Sequence, residues 1–249
     1  MSLGQHLLEL RKRLFISAVA IIVVAIGGFI ASDWILAALR TPILEIAGQG
    51  RDASLNYTDI TGAFDLKLQI AFTVGIIVAS PVWLYEIWAF LVPGLTRKEI
   101  RFGLGFCLTA IPLFFAGCVA GWFVMPHIVE LMTGFAPAED AAIITAKVYY
   151  DFVLKLMIAV GIGFTLPVFL VLLNFAGVLS AASIIKSWRI AVLAIALFTA
   201  IATPAADVFS MFLLAIPMVG LYLTGAGIAW VHDRRVAKRQ LAFEQGLAV

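Results

Sequence analysis

Six apolar runs, at about 14–31, 63–92, 100–125, 150–178, 190–202 and 208–231, leave this chain few folds to choose from. Runs of that length with little charge inside them read as membrane spans. A backbone in hydrocarbon must satisfy its own N–H and C=O groups, and a helix does so within each segment. The expected fold is therefore an all-α integral membrane protein with six transmembrane helices in one membrane domain covering 1–249. Composition agrees: 13% of residues are charged and mean hydropathy is +1.07, against about a quarter charged in soluble domains. A net charge of +2 is too small to point to nucleic acid.

In chain order, Leu3, Leu7, Leu10 and Leu14 share a helical face, which suits an amphipathic helix in the membrane interface. The first run follows Arg11-Lys12-Arg13, as a secretory signal would. It is longer than a typical h-region, and Phe29-Ile30-Ala31-Ser32 is a poor cleavage site, so it is read as a retained span. A polar loop over 40–61 contains Pro42, with a short helix at about 35–39. Pro126-His127 is expected to open a second outer loop, and the basic tail from Asp233 to Arg239 is expected to be solvated. The fifth and sixth spans are expected to be short. The fifth reaches only ~20 Å against a hydrocarbon core of ~30 Å. Pro81, Pro112, Pro167 and Pro217 lie inside runs and are expected to kink them around a concave face.

Lys and Arg set the orientation. With the N-terminus inside, twelve of the 17 fall on the cytoplasmic side and five outside, which places both termini in the cytoplasm. Five of the tryptophans (Trp34, Trp88, Trp122, Trp188 and Trp230) fall near span ends, as interfacial belts do.

Catalytic machinery is hard to find. No metalloprotease, serine-hydrolase or phosphate-loop motif is present. His6, His127 and His232 lie in different regions, so no metal site is expected, and no cofactor either. Cys107 and Cys118 share one apolar run and read as buried thiols. Polar residues at membrane edges remain. The stretch 80–101 is an aromatic-rich helix end cut by Pro93-Gly94, followed by Thr96-Arg97-Lys98-Glu99. Threonine three residues before glutamate is a capping box, so a helical hairpin with a polar tip is expected. Glu9 can simply pair with Arg13, and Glu99 can simply complete its box. Alternatively, the two cytoplasmic carboxylates bind guanidinium groups in a forked geometry that lysine cannot reproduce.

The segment His6 to Leu14, together with Ser80-Pro81, Tyr85, Trp88, Phe90 and Pro93-Gly94-Leu95 through Glu99, resembles the TatC family, the multispanning core of the twin-arginine protein translocase. Thr203-Pro204-Ala205-Ala206-Asp207 and Leu214 to Pro217 are similar to that family's fifth-to-sixth-span turn and sixth span. The resemblance implies a non-enzymatic translocase core in the cytoplasmic membrane of a prokaryote. It implies recognition of twin-arginine signal peptides and export of folded proteins by the proton-motive force. TatA and TatB-type single-span proteins would be its partners in an oligomeric complex among membrane lipids. By position, Glu9 and Glu99 would contact the signal's arginines. Arg13, Pro81, Phe90 and Leu95 would shape the recognition surface beside Pro93, and Pro42 would belong to the outer cap. Asp207 falls at the outer turn, where capping the sixth helix explains it equally well.

One departure stands out. Many family members carry a glutamate two residues before the fourth-span proline, and here that position is Thr165. Threonine cannot hold a charge, so its expected part is a hydroxyl contact with a partner helix. A secondary transporter or channel is the rival reading, suggested by the interrupted helices. Against it, Asp65, Lys67, Asp151 and Lys155 lie toward the outer span ends rather than at the midplane.

Overall fold

The computed structural model describes residues 3–48, 53–57, 59–91, 97–134, 142–203 and 208–247. Nine helices and two short strands occur among them: α1 (Leu3–Ile30), α2 (Ser32–Gly48), β1 (Ala53–Asn56), α3 (Gly62–Val78), α4 (Ser80–Leu91), α5 (Arg97–Gly134), β2 (Ala142–Thr145), α6 (Ala146–Phe175), α7 (Ala181–Lys186), α8 (Trp188–Ala202) and α9 (Val208–Leu247). Four of the helices (α1, α5, α6 and α9) are long and apolar enough to cross a membrane. The pair α3 and α4 adds a fifth crossing if the two count as one broken span. The apolar helix α8 is shorter, at 15 residues.

The expected second span is thus divided, with α3 and α4 bent by 56°. Pro81 explains the break, since it has no N–H for the carbonyl one turn back and its ring crowds that carbonyl. Helix α4 restarts on Ala79, whose carbonyl accepts from Val82 and Trp83. The Trp83 indole N–H donates to the Ile76 carbonyl at 2.8 Å, supplying a donor at the break.

Small residues let the long helices approach. A Cβ on Gly117 of α5 would lie 2.7 Å from the Val160 carbonyl oxygen of α6, and one on Gly75 of α3 would lie 2.7 Å from the Ile21 oxygen of α1. In lipid, where apolar surface alone drives little association, such contacts carry the packing. The largest core joins α2, α3, α5, α6 and α9 through Leu39, Ile70, Met125, Tyr150, Val153 and Met218. A second core, around Leu84, Trp88, Phe106 and Phe114, sits at the other end of the bundle.

Several expectations need correction. The segment around Pro42 belongs to helix α2, with Pro42 inside it and buried. Leu39 and Ile43, one turn apart, turn that helix onto the core. Pro126 does not open a loop, because α5 continues through it to Gly134. The sixth span is not a short helix: α9 runs for 40 residues and takes the basic tail with it. Pro112, Pro167 and Pro217 lie inside continuous helices, which a kink at proline does not interrupt. The parallel pairing of β1 with β2, Ala53 against Ala142 through Asn56 against Thr145, had no counterpart in the sequence reading.

Candidate functional site

The first turns of α1 and the last turns of α4 run antiparallel, and each carries polar or aromatic residues at one-turn spacing. His6, Glu9 and Arg13 recur every three or four residues on α1, as do Glu86 and Phe90 on α4, so each set occupies one helical face. The two faces meet. His6 stacks on Phe90 with ring centroids 4.4 Å apart. Deeper in, Arg13 donates from Nε and Nη2 to Glu9 Oε1 at 3.1 and 2.7 Å, and from Nη1 to Glu86 Oε2 at 2.9 Å.

This cluster has one guanidinium and two carboxylates, so it carries an excess negative charge. Side-chain exposures of 24% for Arg13, 23% for Glu9 and 12% for Glu86 place it at the water edge rather than in solution. Among the described residues, no donor reaches the second oxygen of either carboxylate. Two carboxylates on one guanidinium make the site an acidic cluster that holds a guanidinium. The Ser17 hydroxyl donates to the Arg13 carbonyl at 3.0 Å and completes the local bonding.

Glu9, Arg13 and Phe90, all expected from sequence, are brought together here. Glu86, to which the sequence assigned no site role, is the residue that joins the two helices. A signal for it existed, since it is the lone carboxylate in the apolar stretch 80–92. Glu99 lies in the first turn of α5, which begins at Arg97. That start is where a capping box would put it, although Thr96 itself, the side chain of Glu99, and Pro93, Leu95 and Asp207 lie outside the described residues. Pro81 is exposed at the α3–α4 break. Pro42 is remote from this cluster, beside the α2, α5 and α6 core. The Thr165 side chain is buried within the bundle, and its hydroxyl donates to the Ile162 carbonyl of its own helix at 2.7 Å.

At the opposite end of the bundle three described lysines lie against carboxylates. Lys67 meets Asp33 at 2.7 Å, Lys155 meets Asp151 at 2.6 Å, and Lys147 lies 3.7 Å from Asp65. Gln69 donates to the same Asp151 carboxylate from α3.

Fold and site together define a polytopic helical membrane protein with a guanidinium-holding acidic cluster at one end. The chain belongs to the TatC family: residues 5–217 match the family described as the Sec-independent protein translocase protein TatC. It is similar to the Sec-independent protein translocase protein TatC of Xylanimonas cellulosilytica, 39% identical over 96% of this chain and 87% of that one. The chloroplastic TATC of Arabidopsis thaliana is 32% identical over 94% of this chain and 68% of its own. A crystal structure of the twin-arginine translocase receptor TatC in the detergent DDM superposes with a TM-score of 0.78, at 30% identity, over 90% of this chain and 99% of that chain. The chain is thus a membrane-embedded component of a protein translocase.

Proposed function

We propose that this chain is the signal-receiving core of a twin-arginine translocase. Twin-arginine signal peptides bind at the bundle end that carries Glu9, Glu86 and Glu99. With TatA and TatB-type partners, the chain passes folded proteins across a prokaryotic cytoplasmic membrane, driven by the proton-motive force and with both termini inside. The observation that carries this reading is the grip of Glu9 and Glu86 on the Arg13 guanidinium, the same kind of contact an incoming arginine would use. The description of a solved relative as a twin-arginine translocase receptor supports it.

The forked contacts favour arginine over lysine, because a planar guanidinium meets two carboxylates at once and an ammonium presents a point charge. Arg11, Lys12, Arg97, Lys98 and Arg101 surround the site in sequence, so the long-range field opposes a cationic peptide. Affinity then rests on short-range geometry. The test titrates a labelled twin-arginine peptide, and its Lys-Lys counterpart, into the reconstituted protein. Loss of charge-assisted hydrogen bonds of ~1.5–3 kcal/mol weakens the lysine peptide tenfold or more. Glu99→Gln abolishes binding, and Glu9→Gln weakens it less, since Glu86 still holds the cluster. Equal affinity for the two peptides would sink the proposal.

A further inference from the structure

A groove unused by this reading lies between α5, α6 and α9, toward the end of the bundle that carries Arg13. One cavity in it has a volume of 420 Å³ and is lined by residues that include Gly105, Thr109, Pro167 and Gly225. A second hollow of 590 Å³ shares Phe175, Thr224 and Ile228 with it and continues past Trp230 and His232 to Arg235. On α9 the lining residues Leu221, Thr224, Ile228, Val231 and Arg235 recur every three or four positions. One face of that helix therefore carries both the groove and the cation at its mouth.

The groove is apolar despite its two threonines. Thr109 donates to the Gly105 carbonyl and Thr224 to the Gly220 carbonyl, each at 2.8 Å, so both hydroxyl protons are already engaged. From Leu221 to Val231 the helix rises ~15 Å, about half of a ~30 Å hydrocarbon core, which is the depth of one leaflet. Arg235 then stands beyond the apolar stretch and is exposed. Among the described residues no carboxylate pairs with it. Its neighbour Arg234 lies over the Trp230 ring at 5.2 Å, and Lys238 and Arg239 follow on the same helix.

We infer that this groove binds one anionic phospholipid, its acyl chain lying between α5, α6 and α9 and its phosphate at Arg235 beside His232 and Trp230. An apolar slot one leaflet deep that opens on a cation matches a lipid in both chemistry and length, and basic pockets between spans are a recurring way of holding acidic headgroups. A partner helix is the poorer fit. It is ~10–12 Å across with its side chains and rigid, whereas the open space here lies at single glycines: a Cβ on Gly105 or Gly227 would meet nothing within 4 Å. A flexible acyl chain fills such space.

The test reconstitutes the full chain in nanodiscs of equal parts phosphatidylglycerol and phosphatidylcholine, then measures retained lipid by native mass spectrometry. The wild type keeps one phosphatidylglycerol in preference to phosphatidylcholine. Arg235→Gln reduces that preference about fivefold, the size of one basic side chain facing an anionic headgroup. Gly227→Leu, which grows into open space, lowers retention of both lipids while the thermal midpoint stays at the wild-type value. Three results would overturn the inference: retention without headgroup preference, a preference indifferent to Arg235, or a retained mass belonging to a peptide. Should Gly227→Leu unfold the protein, the Arg235→Gln comparison decides alone.

Discussion

Each end of this bundle has a packed core, but the two differ in how their outermost helices are attached. At the end with α2 and the β1–β2 pair, the side chains interlock. Tyr149 donates to the Leu39 carbonyl at 2.8 Å, Tyr150 and Met125 are fully buried, and two separate loops are joined by parallel strand pairing. At the end with Arg13 a second core around Leu84, Trp88 and Phe114 packs α4 against α5 and α6, but the start of α1 meets α4 across an ion cluster and a ring stack, while Leu7, Leu8, Leu14 and Phe15 remain exposed. A change at the α1–α4 contact should therefore leave the Leu39, Met125 and Tyr150 core in place. Polar contacts that exchange suit such a face better than a packed core does, because packed interiors resist small displacements.

The comparison breaks most severely where the frame itself is altered. Gly117→Leu adds a side chain where even a Cβ would meet the Val160 oxygen at 2.7 Å and the Gly161 Cα at 2.8 Å, both of them backbone atoms. Helices α5 and α6 must separate, at an over-packing cost of ~3 kcal/mol. Thermal unfolding in detergent should show a large drop in midpoint, or no assembled protein. Gly105→Leu, on the same helix and facing open space, is the control and should leave the midpoint in place.

A smaller effect of a different kind is expected at the other end. Arg13→Gln leaves Glu9 and Glu86 facing each other with only a neutral amide between them. Removing the shared partner of two half-buried carboxylates costs ~1–3 kcal/mol. Because the start of α1 meets α4 through these side chains while its later turns pack on α3, the cost should appear as local opening. Hydrogen exchange should speed up at the amides of 5–13, with the global midpoint nearly constant. Tyr149→Phe reverses that pattern. It removes the buried hydroxyl bond that ties α6 to the Leu39 carbonyl of α2, so the global midpoint should fall by the equivalent of ~1 kcal/mol while exchange at 5–13 is unchanged. If both variants acted globally, the division between frame and face would be wrong.

The apolar runs made the helices legible, because in lipid a long uncharged segment has little choice but to form one. Proline was the weak guide. Pro81 breaks its span, yet Pro112, Pro126 and Pro167 sit inside continuous helices, where neighbouring elements can satisfy the carbonyls they leave. Helix α2 was read as mostly loop because Pro42 and nearby polar residues mask its inward stripe of Leu39 and Ile43. Glu9 and Arg13 could be paired by their spacing along one helix. Glu86 could not, since its partner lies 73 residues away and only the folding of α4 against α1 brings them together. Thr165 showed the converse: its position suggested a contact outside the chain, and its geometry puts the hydroxyl on its own helix.

The smallest effect sharpens the comparison most, since the same motif occurs at both ends. Asp151 and Lys155 repeat the carboxylate-then-cation spacing of Glu9 and Arg13, each four residues apart in the favourable order. The surroundings differ. Lys155 is 74% exposed, and Asp151 keeps Gln69 as a donor when the lysine is lost. Lys155→Met should therefore cost at most a few tenths of a kcal/mol, within the ~0.2–1 kcal/mol range of exposed pairs, and high salt should remove the difference from wild type. The Arg13 cluster, less exposed and held from two helices, should keep most of its coupling at the same salt. Double-mutant cycles on Glu9–Arg13 and Asp151–Lys155, run at low and high ionic strength, compare the two directly. Equal salt sensitivity would mean that the Glu86 contact adds nothing to an ordinary surface pair, and the guanidinium-holding character of that end would lose its physical basis.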